Sequence, residues 1–72
     1  MSSIDFAIES MASDLVMLLI EDKHFSLEEA LDVLYNSTLY QKLKDPDTGL
    51  YYQSPGYVYS YLKNEIDTGK MA

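Results

Sequence analysis

The sequence predicts an all-α domain: a small bundle of three to four helices, with a turn and a short extended segment before the last helix. Three observations lead there. Apolar residues recur at helical spacing through most of the chain, the pattern of helices with one buried face. Start and stop residues divide that pattern into pieces of ordinary helix length. Both prolines and two of the three glycines fall within residues 45–62, which places the turn. With 72 residues, the chain forms one domain, 1–72.

The first helix is expected over residues 3–23, a stretch without Gly or Pro. Ser3 is suited to cap it, and Asp5 in its first turn favours the positive end of the helix dipole. Ile4, Ile8, Met11, Leu15 and Leu18 make the apolar stripe, widened by Ala12, Val16 and Leu19. Residues 15–20 have no polar member, so this end should be wrapped by the other helices. Met17 beside the polar face is covered either by the chain itself, the leading reading, or by something outside it.

Ser26-Leu27-Glu28-Glu29 is a capping box, in which Ser26 and Glu29 satisfy each other's backbone N–H. It opens a second helix that buries Leu27, Ala30, Leu31 and Leu34. Asn36 can take the left-handed conformation that ends a helix. Ser37 or Thr38 then caps a short third helix to about Lys44, burying Leu39, Tyr40 and Leu43. As an alternative, residues 42–44 pair with residues 50–53 in a small hairpin.

Asp45-Pro46-Asp47-Thr48-Gly49 is a turn, with Asp45 bonding forward, Pro46 presetting φ and Gly49 supplying a positive φ. Residues 50–53 are short and aromatic, and read as extended. Ser54 caps the last helix, Pro55 takes its first position, and Gly69 closes it beside Lys70. Val58, Tyr61, Leu62, Glu65 and Ile66 share one face. The expected core is Ile8, Met11, Leu15, Leu18, Leu19, Leu31, Leu34, Leu43, Val58, Leu62 and Ile66.

Such a core is small, and below roughly 70–80 residues it rarely supplies more than about 3–5 kcal/mol without a staple. No cysteine is present, so no disulfide can serve, and one histidine cannot complete a structural zinc site. Self-association through the apolar half of the first helix, or a partner protein, would supply what is missing. No cofactor is implied.

The net charge of −7 is unevenly placed. In residues 1–36, Lys23 is the only base among the acids, so this half repels nucleic acid and anionic membranes and steers a basic partner. No run approaches the ~20 apolar residues that span a bilayer, and a cytoplasmic location is expected.

Catalytic patterns are absent from the sequence. Asp45-Pro46-Asp47 resembles the start of a calcium loop, but Leu50 and Gly56 stand where such a loop needs Gly and Glu. His24 has acids nearby but no nucleophile or phosphate-binding loop with it, and reads as a surface residue that helps end the first helix. The expectation is therefore no enzyme.

The seven tyrosines are the better lead, all between residues 35 and 61. Several must fill the core. Tyr51 and Tyr52 are neighbours in an extended piece and point to opposite sides. Tyr57 stacks one turn below Tyr61, and Tyr59 falls at the margin of the buried stripe. At least two should stay exposed, and Tyr51 and Tyr59 are those expected to. Tyr51, Tyr52, Tyr57 and Tyr59 are thus the candidate partner-binding residues, because exposed tyrosine is enriched at protein interfaces.

The leading reading is a non-enzymatic protein-binding module using the tyrosine strip and the acidic half. The alternative is a helix-turn-helix nucleic-acid-binding regulator, formed by the second and third helices with Gln41, Lys42 and Lys44. Two lysines are a thin phosphate-binding face on so acidic a chain.

Several stretches also carry a resemblance: Glu29-Ala30-Leu31, Leu34-Tyr35-Asn36-Ser37, Leu39-Tyr40, Asp47-Thr48-Gly49-Leu50-Tyr51 and Ser54-Pro55 with Tyr57-Val58-Tyr59. Over about residues 10–66 they resemble small bacterial proteins of toxin–antitoxin-like loci. The resemblance implies a bacterial cytosolic protein with an antitoxin-like or accessory role. It assigns no functional residue.

Overall fold

The start signals at Ser26, Ser37 and Ser54 each open a helix. In the computed structural model, which describes residues 3–69, the order is α1 (Ser3–Lys23), α2 (Leu27–Tyr35), α3 (Thr38–Leu43), two 3₁₀ turns (Pro46–Thr48 and Leu50–Tyr52) and α4 (Pro55–Thr68). The all-α class holds, and the described residues contain no strand.

The caps explain the boundaries. Ser3, expected to cap α1, is instead within the helix. His24 ends α1 with φ 59°, the one non-glycine residue at positive φ among those described, and its N–H reaches the Ile20 carbonyl at 3.1 Å. At α2 both halves of the capping box form, Glu29 N–H to Ser26 Oγ and Ser26 N–H to Glu29 Oε1, each at 3.1 Å. Asn36 corrects an expectation. Its φ is −94°, and its side-chain amide instead donates to the Asp32 carbonyl at 2.8 Å. The chain needs no left-handed residue there because Ser37 starts α3 at once. Buried Ser37 joins the two helices, its hydroxyl donating to the Leu34 carbonyl at 2.6 Å and accepting from Tyr40 N–H at 3.0 Å.

Residues 45–54 bring the second correction. Asp45 Oδ1 does accept from Asp47 N–H at 3.0 Å, and Gly49 has φ 70°. The following segment, however, is neither extended nor paired in a hairpin: it winds into the second 3₁₀ turn. Thr48 shows why the chain stays coiled. Its hydroxyl lies 2.8 Å from the Lys42 and Asp45 carbonyls and so ties the turn back to the end of α3. A side chain at Gly49 would sit 3.2 Å from the Tyr52 hydroxyl as well as in the left-handed region. Ser54 then caps α4 through Tyr57 N–H at 3.3 Å, with Pro55 leading and Gly69 closing at φ 80°. Lys70 lies outside the described residues.

α1 is the spine, packed against α2, α4 and the second 3₁₀ turn, while α3 bridges α2 and α4. Met11, Leu15, Val16 and Leu19 of α1 meet Ala30, Leu34, Leu39, Leu43, Val58, Tyr59 and Leu62 in the core. Of the residues expected there, Ile8, Leu18, Leu31 and Ile66 are half-buried and pack against its edge. Leu27, expected to be buried, is 60% exposed, and Met17 is 55% exposed because no other helix wraps over it.

Candidate functional site

α1 is covered unequally on its two flanks. On the α2 side an open cavity of about 410 Å³ remains, lined by Ile8, Glu9, Ala12, Ser13 and Val16 of α1, Leu27, Leu31 and Tyr35 of α2, and Tyr40. The cause is local. Ala30 and Leu34 are the residues that α2 commits to the core, so its Leu27, Leu31, Tyr35 stripe, one turn apart at each step, overhangs the edge of α1. There α1 offers small Ala12 and Ser13, which fill little of the gap.

The groove continues past Tyr40 into a second depression of about 490 Å³ lined by Asp5, Ile8, Glu9, Tyr40 and Lys44. From Asp5 to Val16 the wall runs about 16 Å along α1. Tyr35 and Tyr40 form a tilted ring pair 5.0 Å apart, and Lys44 Nζ stands 5.1 Å from the Tyr40 ring centre. Burial, with Tyr35 and Glu9 adding to it, pushes the Tyr40 phenol above its usual range. Glu28 and Asp32 each follow a groove-lining leucine by one residue, about 100° further round α2, away from the core. Both are exposed, as are Asp5 and Glu9. Acids of α1 therefore line one edge of the apolar floor, and the acids of α2 stand on the outer face of the opposite wall.

The tyrosines expected to bind a partner are divided by the fold. Tyr52 is 70% exposed and Tyr57 is 49% exposed. Tyr51, expected to be exposed, is half-buried and packs against the core, its ring edge-on to Tyr52 at 5.1 Å. A 3₁₀ turn advances three residues per turn, and the opposed directions of an extended pair no longer apply. Tyr57 and Tyr61 stack one turn apart as expected, with rings 5.2 Å apart and hydroxyls at 2.8 Å.

Tyr59 reverses its expectation, being only 9% exposed. Its hydroxyl donates to Asp22 Oδ2 of α1 at 2.7 Å. Helical spacing places Tyr59 at a margin but cannot say what stands opposite, and the end of α1 stands there. Burial, then the bond to Asp22, pushes the Tyr59 phenol far above its usual range. The same hydrogen bond, helped by Lys63 at 3.7 Å, holds Asp22 below the usual carboxylate range. Lys23 meets Asp67 at 2.6 Å beside it. These contacts close the C-terminal end of the α4 flank of α1. Nearer the start of α4 a shallower depression of about 330 Å³ remains, lined by Asp14, Met17, Leu18, Glu21, Pro55 and Gly56.

One functional side chain was overlooked in the sequence. Glu65 of α4 accepts from the backbone N–H of Thr38 at 2.7 Å and of Leu39 at 2.9 Å, so α3 is capped from a distant helix as well as by Ser37. The signal was present: an acid inside an apolar stripe needs donors. What the whole arrangement offers chemically is a recessed apolar surface with an anionic edge along α1. Comparison of the chain with protein-family models, curated proteins and solved structures finds no match.

Proposed function

We propose that this chain is a non-enzymatic protein-binding module, an antitoxin-like or accessory component of a bacterial cytoplasm. The observation that carries the binding part is the open apolar groove between α1 and α2, with exposed Leu27 and Tyr35 on its wall. Apolar surface left in a recess, rimmed by charge, is where small domains receive partners. The surface first indicated by the tyrosines is weaker as a site, since Tyr59 and Tyr51 are engaged internally and Tyr52 and Tyr57 remain. The antitoxin-like role is supported by the sequence resemblance.

The test is affinity capture of the tagged chain from bacterial lysate at low and high salt. Wild type is compared with Leu27→Lys plus Tyr35→Ser, and with Tyr52→Ser plus Tyr57→Ser. A stoichiometric protein lost only with the first pair is the expected result. Loss only with the second pair moves the site to the tyrosine surface, and no captured protein at either salt defeats the reading.

A further inference from the structure

We infer that the α1–α2 groove takes one lysine- or arginine-rich amphipathic α-helix of a partner protein, a conclusion that rests on the protein-binding reading above. The floor is apolar (Ile8, Ala12, Val16, Leu31), and its walls are helices, which pair their interior backbone groups within themselves. An extended peptide laid there would leave its N–H and C=O groups facing hydrocarbon, at a cost for each unpaired group. A helix satisfies those groups internally and presents only its apolar stripe. The wall length of about 16 Å corresponds to about three helical turns. Ala12, small and midway between Ile8 and Val16, leaves space for one central anchoring side chain. The Tyr35–Tyr40 ring pair supplies an aromatic wall for another.

Charge selects the occupant. The polar flank of an inserted helix would pass along Asp5 and Glu9 on the α1 edge, while Glu28 and Asp32 stand beyond the other wall on the outer face of α2 and add to the negative field there. Acidic flanks would be repelled, and basic ones attracted and oriented. A second copy of this chain, with the same net charge of −7, meets those edges with like charge. Lys44 is the one base lining the groove, at the end where it stands over Tyr40.

The probe is a synthetic peptide of roughly 14 residues, one turn longer than the groove, with leucines at helical spacing and lysines elsewhere. It is titrated into the ¹⁵N-labelled full chain, followed by amide shifts and by anisotropy of the labelled peptide. Shifts should concentrate in residues 8–16 and 27–40. A scrambled peptide of the same composition should bind at least about tenfold more weakly, because it lacks the stripe. Glu9→Lys plus Asp32→Lys, both at exposed positions, should weaken binding by about the same factor and flatten its salt dependence. Ala12→Phe should block binding, and the surface pair keeps the test valid where that variant fails to fold.

Equal binding of the scrambled peptide, or shifts centred on Tyr52 and Tyr57, would overturn the inference. So would groove shifts that follow protein concentration without peptide, which would assign the groove to a second copy. A captured partner that depends on Leu27 and Tyr35, together with failure of the basic peptide, overturns only the helix occupant. Absence of any captured partner overturns the module reading beneath it.

Discussion

The two flanks of α1 differ in how they end. Towards α4 the C-terminal end of the helix meets long residues and closed polar pairs: Leu62 and Tyr59 fill the interface, and Asp22 and Lys23 take partners from α4. Only a shallower depression of about 330 Å³ is left there, beside Met17 and Pro55. Towards α2 it meets a stripe that overshoots it, and a cavity of about 410 Å³ stays open. Apolar content does not separate the flanks, since Ile8, Ala12 and Val16 are as apolar as anything facing α4. What separates them is side-chain reach. A tyrosine spans to a carboxylate at 2.7 Å, whereas Ala12 and Ser13 reach nothing across the groove. The lesson is that a closed flank contributes stability and an open one leaves surface for recognition.

The largest expected effect tests that division directly. Leu62→Ala on the closed flank removes a fully buried side chain and should cost about 2–5 kcal/mol, enough to unfold much of so small a domain. Leu27→Ala on the open flank should stay within about 0.5 kcal/mol. Urea denaturation of both variants decides it, and equal losses would make the groove wall part of the core.

A smaller effect is expected from Glu65→Ala, which strips the carboxylate from two N–H groups of α3. Loss of about 1–2 kcal/mol should follow, of the order of a lost helix cap. Amide exchange of residues 38–43 should quicken before that of α1, because the cap acts on α3 alone. Uniform quickening would show that Glu65 serves the whole closed flank.

The smallest sharpens the comparison at one hydrogen bond, through Tyr59→Phe. Asp22 is held below its usual range by Tyr59, so its contribution is present above the unfolded carboxylate pKa of about 3.9 and disappears as pH falls through the folded value. The Tyr59 phenol is raised by burial and by Asp22. Its contribution is therefore intact below about pH 10 and lost as pH climbs towards the folded value. Melting temperatures of wild type should fall in both windows. In Tyr59→Phe both declines should be shallower, the alkaline one not abolished because the Tyr40 and Tyr61 phenols are also raised. Identical profiles would mean that the bond couples nothing.

Much of the fold was legible because its signals are local. Ser26 with Glu29, Ser54 with Pro55, and Asp45 through Gly49 act within a few residues of themselves, and each does in the structure what its spacing implies. Residues 50–53 misled because aromatic content suggests extension, while the tie from Thr48 to Lys42 that keeps the chain coiled lies outside the segment. Half of the tyrosine expectation failed in the same way. Tyr52 and Tyr57 are exposed, but Tyr59 found an acceptor 37 residues away and Tyr51 found the edge of the core.

The sequence by itself determined the helices, the caps at Ser26, Ser37 and Ser54, the turn at Gly49, the buried stripe from Met11 to Leu19 and the acidic bias of the first half, since each depends on spacing and residue type along one stretch of chain. Only the tertiary structure decided that Tyr59 is sealed against Asp22, that Glu65 caps α3, and that an open groove remains between α1 and α2 with Glu9 on its edge. Those outcomes depend on which surfaces meet and how far their side chains reach. A periodic pattern gives the direction in which a residue points, and packing alone supplies what waits there.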